Sequence, residues 1–256
     1  MYQFFVEQNQ LVGDRISILG SDVNHIKNVL RMKRGERVRV SVRNSMDEGE
    51  ANTTSSRSFF GIIDTILEDE VLISVESEDE NGTELSNRIY LFQGLPKGDK
   101  MELIIQKAVE LGVNRIVPVV MKRSIVKIDD KKAQSKIARW QQIAEAAAKQ
   151  SKRDIIPTIA NPMNLKEALK ETKDFDLSMM PYEQAKGMAY TRELLECVKP
   201  GQKVAIFIGP EGGFEASEVE MALEMGTKPV TLGRRILRTE TAGLAMLSML
   251  NYVLEA

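Results

Sequence analysis

Short runs of alternating apolar and polar residues fill roughly the first 75 positions, a period typical of half-buried strands. They predict strands over 2–6, 11–18, 37–42, 59–66 and 71–76. A helix is predicted over 23–32, where apolar residues recur at helical spacing after Asp22, its predicted N-cap. Residues 1–76 therefore predict a small, mostly β domain.

Two polar stretches interrupt this pattern. Residues 43–58 hold few apolar side chains, which predicts a long loop between two strands. Residues 77–88 are equally polar, and after them the periodicity of the chain changes. Because domain boundaries fall in polar segments, we place the linker at 77–88.

From residue 89 onward, short apolar runs alternate with helical patterns. The predicted strands are 89–92, 116–120, 176–180, 204–208 and 229–232. The predicted helices are 101–111, 131–149, 165–170, 192–198, 218–225 and 241–254. Ser217 and Glu220 predict a capping box for the fifth of these helices. Buried strands joined by helices are typical of a mainly parallel sheet, so the second domain, 89–256, is predicted to be α/β.

Composition narrows the class of protein. At 256 residues, with 43% hydrophobic and 28% charged residues, the chain fits two ordinary globular domains. Its apolar runs are far shorter than the roughly 20 residues that cross a bilayer, and no signal peptide is visible. The single cysteine, Cys197, excludes an internal disulfide and is predicted to pack as a small hydrophobe. These features predict a cytoplasmic protein without a membrane partner.

Charge is segregated along the chain, although the net charge is only −2. Residues 25–43 carry seven Lys or Arg against one acid, whereas 44–84 carry twelve acids against one Arg. Residues 121–153 are basic again, with ten Lys or Arg against three acids. Such segments are typical of proteins that bind an anionic polymer, but solvated charged faces explain them equally well. In the strand 37–42, the arginines are expected on the open face.

Two glycine-bearing turns form the candidate binding site. Residues 206–214 and 232–241 each run from a predicted strand through such a turn toward a helix. In parallel sheets ligands bind beyond the carboxyl ends of strands, where both turns are expected. Neither turn matches a P-loop or a dinucleotide fingerprint, which argues against an ATPase and a conventional Rossmann enzyme. Spacing alone leaves a plain loop as an equal alternative.

The residues of these turns carry a resemblance to a known family. Gly209-Pro210-Glu211-Gly212-Gly213 and the later segment 232–242 (Leu-Gly-x-Arg-Ile-Leu-Arg-x-Glu-Thr-Ala) resemble the cofactor-binding signature of SPOUT methyltransferases. The most similar group is the small-subunit ribosomal RNA uridine-N3 methyltransferases, the RsmE type. Similar motifs span 25–35, 97–100, 106–112, 123–124 and 139–153, so the resemblance covers nearly the whole chain.

The resemblance implies an architecture and an activity. Such proteins carry an N-terminal PUA-like β-barrel and a C-terminal α/β domain tied in a deep trefoil knot, and they are homodimers. They bind S-adenosylmethionine bent in the knot. They methylate N3 of a uridine in small-subunit (16S) ribosomal RNA, in the decoding region near the 3′ end. The implied partners are ribosomal RNA or the small ribosomal subunit, and a second copy of the chain.

For the cofactor, the resemblance points to both turns. Glycines allow close approach of the backbone and positive φ angles, and Ile208, Ile236 and Leu237 fit a sandwich around adenine. The predicted cofactor-binding residues are Ile208, Gly209, Pro210, Glu211, Gly212, Gly213, Leu232, Gly233, Arg235, Ile236, Leu237, Arg238, Thr241 and Ala242. No metal site is predicted.

The implied reaction needs two kinds of catalytic group. Uridine N3 is a weakly acidic imide nitrogen, so a base must take its proton and a donor must stabilise the charge left behind. We assign Arg238 as the anion stabiliser, and Glu240 or Glu211 as the base or as an orienting group. Glu240 and Thr241 fit the capping of a helix N-terminus equally well.

Basic side chains outside the turns are candidates for RNA contact. They are His25, Arg31, Lys33, Arg34, Arg123, Arg139 and Arg153. Trp140, on an amphipathic helix, is predicted to be buried instead. Two rival functions stay open: a SPOUT enzyme that acts on a ribose hydroxyl or another base nitrogen, and a non-catalytic RNA-binding or ribosome-assembly factor.

Overall fold

The computed structural model describes residues 1–43, 56–125 and 130–255, without the side chains of 130–132. The chain divides into two compact units. The first comprises Met1–Glu84 and Ala148–Ile155, and the second comprises Leu85–Ala147 and Ile156–Ala256. The boundary between Glu84 and Leu85 falls inside the predicted linker 77–88, whereas the segment 148–155 of the predicted second domain lies in the first unit. Most of the predicted loop 43–58 lies outside the described residues.

The first unit is built on a six-stranded sheet. Its strands are β1 (Tyr2–Glu7), β2 (Leu11–Val12), β3 (Arg15–Leu19), β4 (Arg37–Arg43), β5 (Arg57–Ile66) and β6 (Glu70–Glu78). Their spatial order is β1-β4-β5-β6-β3-β2, with β1 and β4 parallel and the other neighbours antiparallel. The alternating apolar residues form the core, including Phe4, Ile18, Val40 and Ile73. In place of the predicted α-helix 23–32, a short helix α1 (Ser21–Asn24) continues as a π-helical turn, His25–Val29.

The expected open face of β4 is covered. Arg37 is exposed, but Arg39 is only 3% exposed, so the prediction of exposed arginines is wrong for Arg39. Its Nη2 lies 2.6 Å from Asp154 Oδ1, and its Nε donates to Asp79 Oδ2 at 2.9 Å. Because Asp154 lies on the segment 148–155, this network explains why that distant segment belongs to the first unit.

The second unit contains a parallel sheet. Its strands are β7 (Arg88–Gly94), β8 (Arg115–Val120), β9 (Thr158–Ile159), β10 (Met163–Asn164), β11 (Leu177–Pro181), β12 (Lys203–Ile208) and β13 (Lys228–Val230). Their order is β10-β8-β7-β12-β11-β13, with β9 beside β8, and these pairings are all parallel. The prediction of an α/β fold with a mainly parallel sheet is confirmed.

Six helices accompany this sheet in the described residues. They are α2 (Lys100–Glu110), α3 (Asp130–Ser151), α4 (Leu165–Glu171), α5 (Met188–Glu196), α6 (Ala216–Glu224) and α7 (Thr239–Leu254). The capping box of α6 uses Glu215 and Glu218 rather than the predicted pair two residues later, because α6 begins earlier. Trp140 is buried as predicted, whereas Cys197 is exposed, so its predicted packing is wrong. None of the helices in the described ranges combines the length and apolar character needed to cross a bilayer.

Candidate functional site

A cavity of about 660 Å³ opens at the carboxyl edge of the parallel sheet. The strands β7, β12, β11 and β13 are neighbours there. The cavity walls include 181–183 at the end of β11, 208–214 after β12 and 231–239 after β13. Small-molecule sites have volumes of roughly 300–1,000 Å³, so this cavity has a suitable size. Both glycine turns face the cavity, as predicted. The third wall, 181–183, was not predicted to belong to the site, although the strand 176–180 that leads to it was predicted.

Two glycines shape these walls. Gly233 has a φ of 110°, a conformation that side chains with a Cβ rarely adopt. A Cβ on Gly94, at the end of β7, would lie 2.6 Å from the backbone nitrogen of Pro210. Gly94 therefore allows the loop after β12 to approach β7 closely. Sequence reasoning missed Gly94, whose only signal is a glycine at the end of an apolar run.

A lysine lies between two carboxylates at one wall of the cavity. Lys100, at the start of α2, places its Nζ 3.0 Å from Glu211 Oε1 and 3.4 Å from Glu240 Oε2. The backbone N–H of Lys97 donates to the same Glu211 oxygen at 3.1 Å. Burial alone would raise the pKa of Glu211, but the hydrogen bonds from Lys100 and from backbone amides outweigh it and lower that pKa. Glu211 is therefore ionised at neutral pH and a weak base. In turn, the hydrogen bond to Glu211 raises the pKa of Lys100.

A second link fixes the start of α7. The hydroxyl of Thr239 donates to the carbonyl oxygen of Gly209 at 2.7 Å and accepts from Gln93 Nε2 at 2.9 Å. Gln93 and Thr239 are both buried. Nearby, Thr191 on α5 exchanges two hydrogen bonds with the backbone of Thr231, at 3.0 and 3.1 Å. The two walls after β12 and β13 are thus tied to the body of the unit.

Arginines differ in how they are held at the cavity. Arg238 is the N-cap residue of α7, and its exposed guanidinium makes no hydrogen bond or ion pair with any described residue. In contrast, Arg123 donates to the carbonyl oxygen of Gly212 at 3.0 Å and pairs with Glu215 at 2.9 Å. Arg234 and Arg235 also line the cavity without a partner among the described residues, so Arg238 is one of three arginines whose charge is left for a ligand.

Comparison with known proteins agrees with this geometry. A family model described as an RNA methyltransferase domain matches residues 83–251. Ribosomal RNA small subunit methyltransferase E from Bacillus subtilis (strain 168) is 36% identical to this chain, covering 100% of the chain and 98% of that protein. The chain belongs to this RNA methyltransferase family.

Solved structures extend the similarity to three dimensions. The crystal structure of a ribosomal RNA small subunit methyltransferase E from Neisseria gonorrhoeae, bound to S-adenosylmethionine, matches with a TM-score of 0.79 and 30% identity. The match covers 98% of each chain. A curated relative of the same name from Aquifex aeolicus (strain VF5) is 30% identical, over 98% of this chain and 99% of that protein.

The predicted cofactor-binding residues of this methyltransferase come together in space. All of them except Thr241, which is exposed on α7, line the cavity. Their contact with a cofactor stays a prediction. Among the three predicted catalytic residues, Arg238 and Glu211 line the cavity, but Glu240 does not. Glu240 lies in the first turn of α7, where its charge also suits the helix N-terminus.

The predicted RNA-binding residues of the first unit fall into two groups. His25, Arg31 and Lys33 are exposed, and Arg34 is exposed beside Asp64, at 3.1 Å. Arg153 is only 3% exposed, and its guanidinium pairs with Glu84 at 2.5 Å. The assignment of Arg153 to RNA is therefore corrected, because the segment 148–155 is packed into its unit.

In the second unit, two predicted RNA-binding residues are accessible. Arg123 and Arg139 are exposed, and Arg139 pairs with Glu102 at 2.7 Å. Such pairs are weak at the surface and can exchange for phosphate contacts. In the described part of the chain, no cluster of three or more His, Cys, Asp or Glu is placed to hold a metal ion.

Proposed function

We propose that this methyltransferase transfers a methyl group from S-adenosylmethionine to N3 of a uridine in 16S ribosomal RNA, in the decoding region near the 3′ end. The family supports the reaction class, and the Neisseria gonorrhoeae relative supports the cofactor. The observation that carries the proposal is the cavity between two glycine-bearing loops, with the unpaired guanidinium of Arg238 at its wall. The cytoplasm is the proposed compartment.

The residues of the cavity fit this cofactor. Gly209, Gly212 and Gly213 present bare backbone, while Ile208 and Leu237 supply apolar surface for an adenine ring. S-adenosylmethionine supplies an electrophilic methyl group on its sulfonium. The ties at Thr239 and Glu211 fix the loops, so the site is largely formed before any ligand binds.

The side chains then have separate tasks. Arg238 stabilises negative charge on the uridine carbonyl oxygens as N3 loses its proton. Glu211 is assigned to orientation, because its lowered pKa makes it a poor proton acceptor. Glu240 is the candidate base. Since it contacts Lys100 rather than the cavity, it must turn its side chain toward the substrate to take the proton.

Three finer structural features belong to the same proposal. The six-stranded unit supports a PUA-like barrel for RNA binding. The insertion of β12 between the earlier strands β7 and β11, with α7 returning to the loop after β12, supports a trefoil knot. Ile236, which is 90% exposed beside the cavity, offers apolar surface to a second copy in a homodimer. Sedimentation of the protein at the mass of a monomer would contradict the dimer.

Mass-spectrometric mapping of 16S ribosomal RNA from a deletion strain tests the activity. We expect the loss of one N3-methyluridine, restored by the wild-type gene. Loss of a ribose methyl group or of another methylated base would show a different target, and unchanged RNA would contradict the activity. Calorimetry with S-adenosylmethionine tests the rival function. A pure RNA-binding factor should release no heat, so heat of binding would exclude it.

A further inference from the structure

Lys100 joins three segments that are distant in sequence. Its Nζ lies 3.0 Å from Glu211 Oε1, in the loop after β12, and 3.4 Å from Glu240 Oε2, in the first turn of α7. Lys97 donates its backbone N–H to the same Glu211 oxygen at 3.1 Å. The turn between β7 and α2 therefore holds the loop after β12 through a side chain and through the main chain.

Thr239 and Arg123 hold the carbonyl oxygens of Gly209 and Gly212 near the two ends of that loop, whereas Lys97 and Lys100 hold its central residue, Glu211. Four of the five residues 209–213 are glycine or proline, and Glu211 is the one with a polar side chain. Gly213 adopts a φ of 69°, which shows how much the loop uses glycine's conformational freedom. Because backbone groups of this loop line the cavity, its shape decides how well it binds a ligand.

The ammonium of Lys100 is already neutralised. Two carboxylates face it, so it has little positive charge to offer a substrate anion. Without Lys100, the same two carboxylates would meet as like charges, and Glu211 would lose one of its anchors. The contacts of Lys100 are thus those of a residue that acts through Glu211.

We propose that Lys100 is a positioning residue, which holds the loop 209–213 in the conformation that binds the methyl donor. The inference rests on the proposed function, because it takes the cavity to be the S-adenosylmethionine site. It adds a residue that neither the signature of the turns nor the predicted site contained.

Calorimetry with S-adenosylmethionine on full-length variants tests this role. Lys100→Met should raise the Kd about tenfold. Glu211→Gln should raise it similarly, and the double variant should show no further loss, since both changes remove one interaction. Lys100→Arg, which retains the charge, should restore most of the affinity. An unchanged Kd in Lys100→Met, or fully additive losses, would overturn the proposal.

A matched control comes from the same helix. Lys107 pairs with Glu110 at 2.8 Å and does not line the cavity. Lys107→Met therefore removes an ion pair of α2 without touching the loop, and it should bind S-adenosylmethionine as the wild type does. A loss equal to that of Lys100→Met would show that any ion pair of α2 matters, and would overturn the specific role of Lys100.

Amide hydrogen exchange in the protein alone separates this inference from the proposed function. Lys100→Met should speed exchange in 209–214 several-fold, whereas Lys107→Met should not. If the wild type fails to bind S-adenosylmethionine, the proposed function is wrong, and the exchange result still decides whether Lys100 anchors the loop. Equal exchange in the wild type and in Lys100→Met would overturn the anchoring.

Discussion

The two units each contain a cluster of charged side chains, and the clusters are built differently. In the first unit, Arg39 is 3% exposed and bonds to Asp154, Asp79 and Gln3, so its donors are occupied by protein groups. In the second unit, Lys100 keeps 30% of its side chain exposed, and Arg238 has no partner among the described residues. A closed network such as that of Arg39 stabilises a fold, whereas the unpaired guanidinium of Arg238 leaves its charge for a ligand.

The same contrast appears in the carboxylates. Burial alone would raise the pKa of Asp154, but hydrogen bonds from Ser58 and Thr83 and the charge of Arg39 lower it. Glu211 also has a lowered pKa, yet its partners lie at the edge of a cavity. One carboxylate is therefore locked inside a unit, and the other is held where a ligand is expected.

The largest expected effect comes from removing the unpaired charge of Arg238. Arg238→Ala should lower the rate of methyl transfer by about 100- to 1,000-fold, because it removes a donor to the developing anion. Its melting temperature should match the wild type, since no described residue pairs with this guanidinium. Single-turnover assays with labelled S-adenosylmethionine measure the rate. Wild-type rates would remove Arg238 from the mechanism.

Removing a partner of Arg39 from the closed network should destabilise the fold rather than lower the rate of methyl transfer. Asp154→Asn removes one of the two carboxylates that neutralise the buried Arg39 and leaves only Asp79, which should lower the free energy of unfolding by about 3 kcal/mol. The matched control is Asp64→Asn, whose partner Arg34 is 79% exposed. That change should cost less than about 1 kcal/mol. Urea unfolding measures both, and equal losses would show that burial does not distinguish the two pairs.

The pH dependence of stability tests the same network. The pKa of Asp154 is lowered from its ordinary value of 3.8, so its contribution is present above that value. It is lost as the pH falls through the lowered pKa of the folded state, because the folded state must then take up a proton. The stability difference between wild type and Asp154→Asn should therefore persist from pH 7 to pH 4 and shrink below it. A difference that shrinks already near neutral pH would contradict this assignment.

A smaller effect is expected from crowding the open site. Gly94→Ala would push a Cβ against the backbone of Pro210. We expect a loss of about 2 kcal/mol in stability, with weaker S-adenosylmethionine binding. Gly187→Ala is the control, because its Cβ would meet nothing within 4 Å. If Gly94→Ala bound the cofactor as tightly as Gly187→Ala, the close approach of loop and strand would not matter for the site.

The smallest effect concerns exposed charges of the first unit. Arg31 and Arg34 are exposed, so changing both to Glu should leave S-adenosylmethionine affinity unchanged. Binding of 16S RNA should weaken about tenfold, and the salt slope should fall by about 2 if each arginine contacts one phosphate. Filter binding at several salt concentrations measures this. Parallel losses of RNA and cofactor affinity would contradict separate roles for the two units.

Sequence patterns predicted much of the fold because they report which faces are buried. The alternation in 37–42 and the apolar runs at 204–208 and 229–232 led to strands that the structure contains, with ends shifted by a few residues. The fate of Arg39 was not predictable in this way. Its partner Asp154 is 115 residues away, and no local period reports such a contact.

The candidate site shows the same limit. The glycine turns were found because glycines and their family signature are visible in the sequence. Lys100, Gly94 and Gln93 were missed as site residues, since they act through Glu211, Pro210 and Thr239, which lie far along the chain. Glu240 had the right residue type for a base. The direction of its side chain relative to the cavity depends on the residue at which α7 begins, which the sequence pattern did not fix.

The discontinuity of the first unit has a consequence for biosynthesis. Asp154 is synthesised 115 residues after Arg39, roughly 6 to 23 seconds later at the usual translation rates. Until then the buried Arg39 has Asp79 but lacks the second carboxylate that pairs with it. The N-terminal unit therefore completes its folding only after the segment Leu85–Ala147 of the second unit has been made. A chain released at Glu84 should remain a substrate for chaperones and proteases rather than a finished domain.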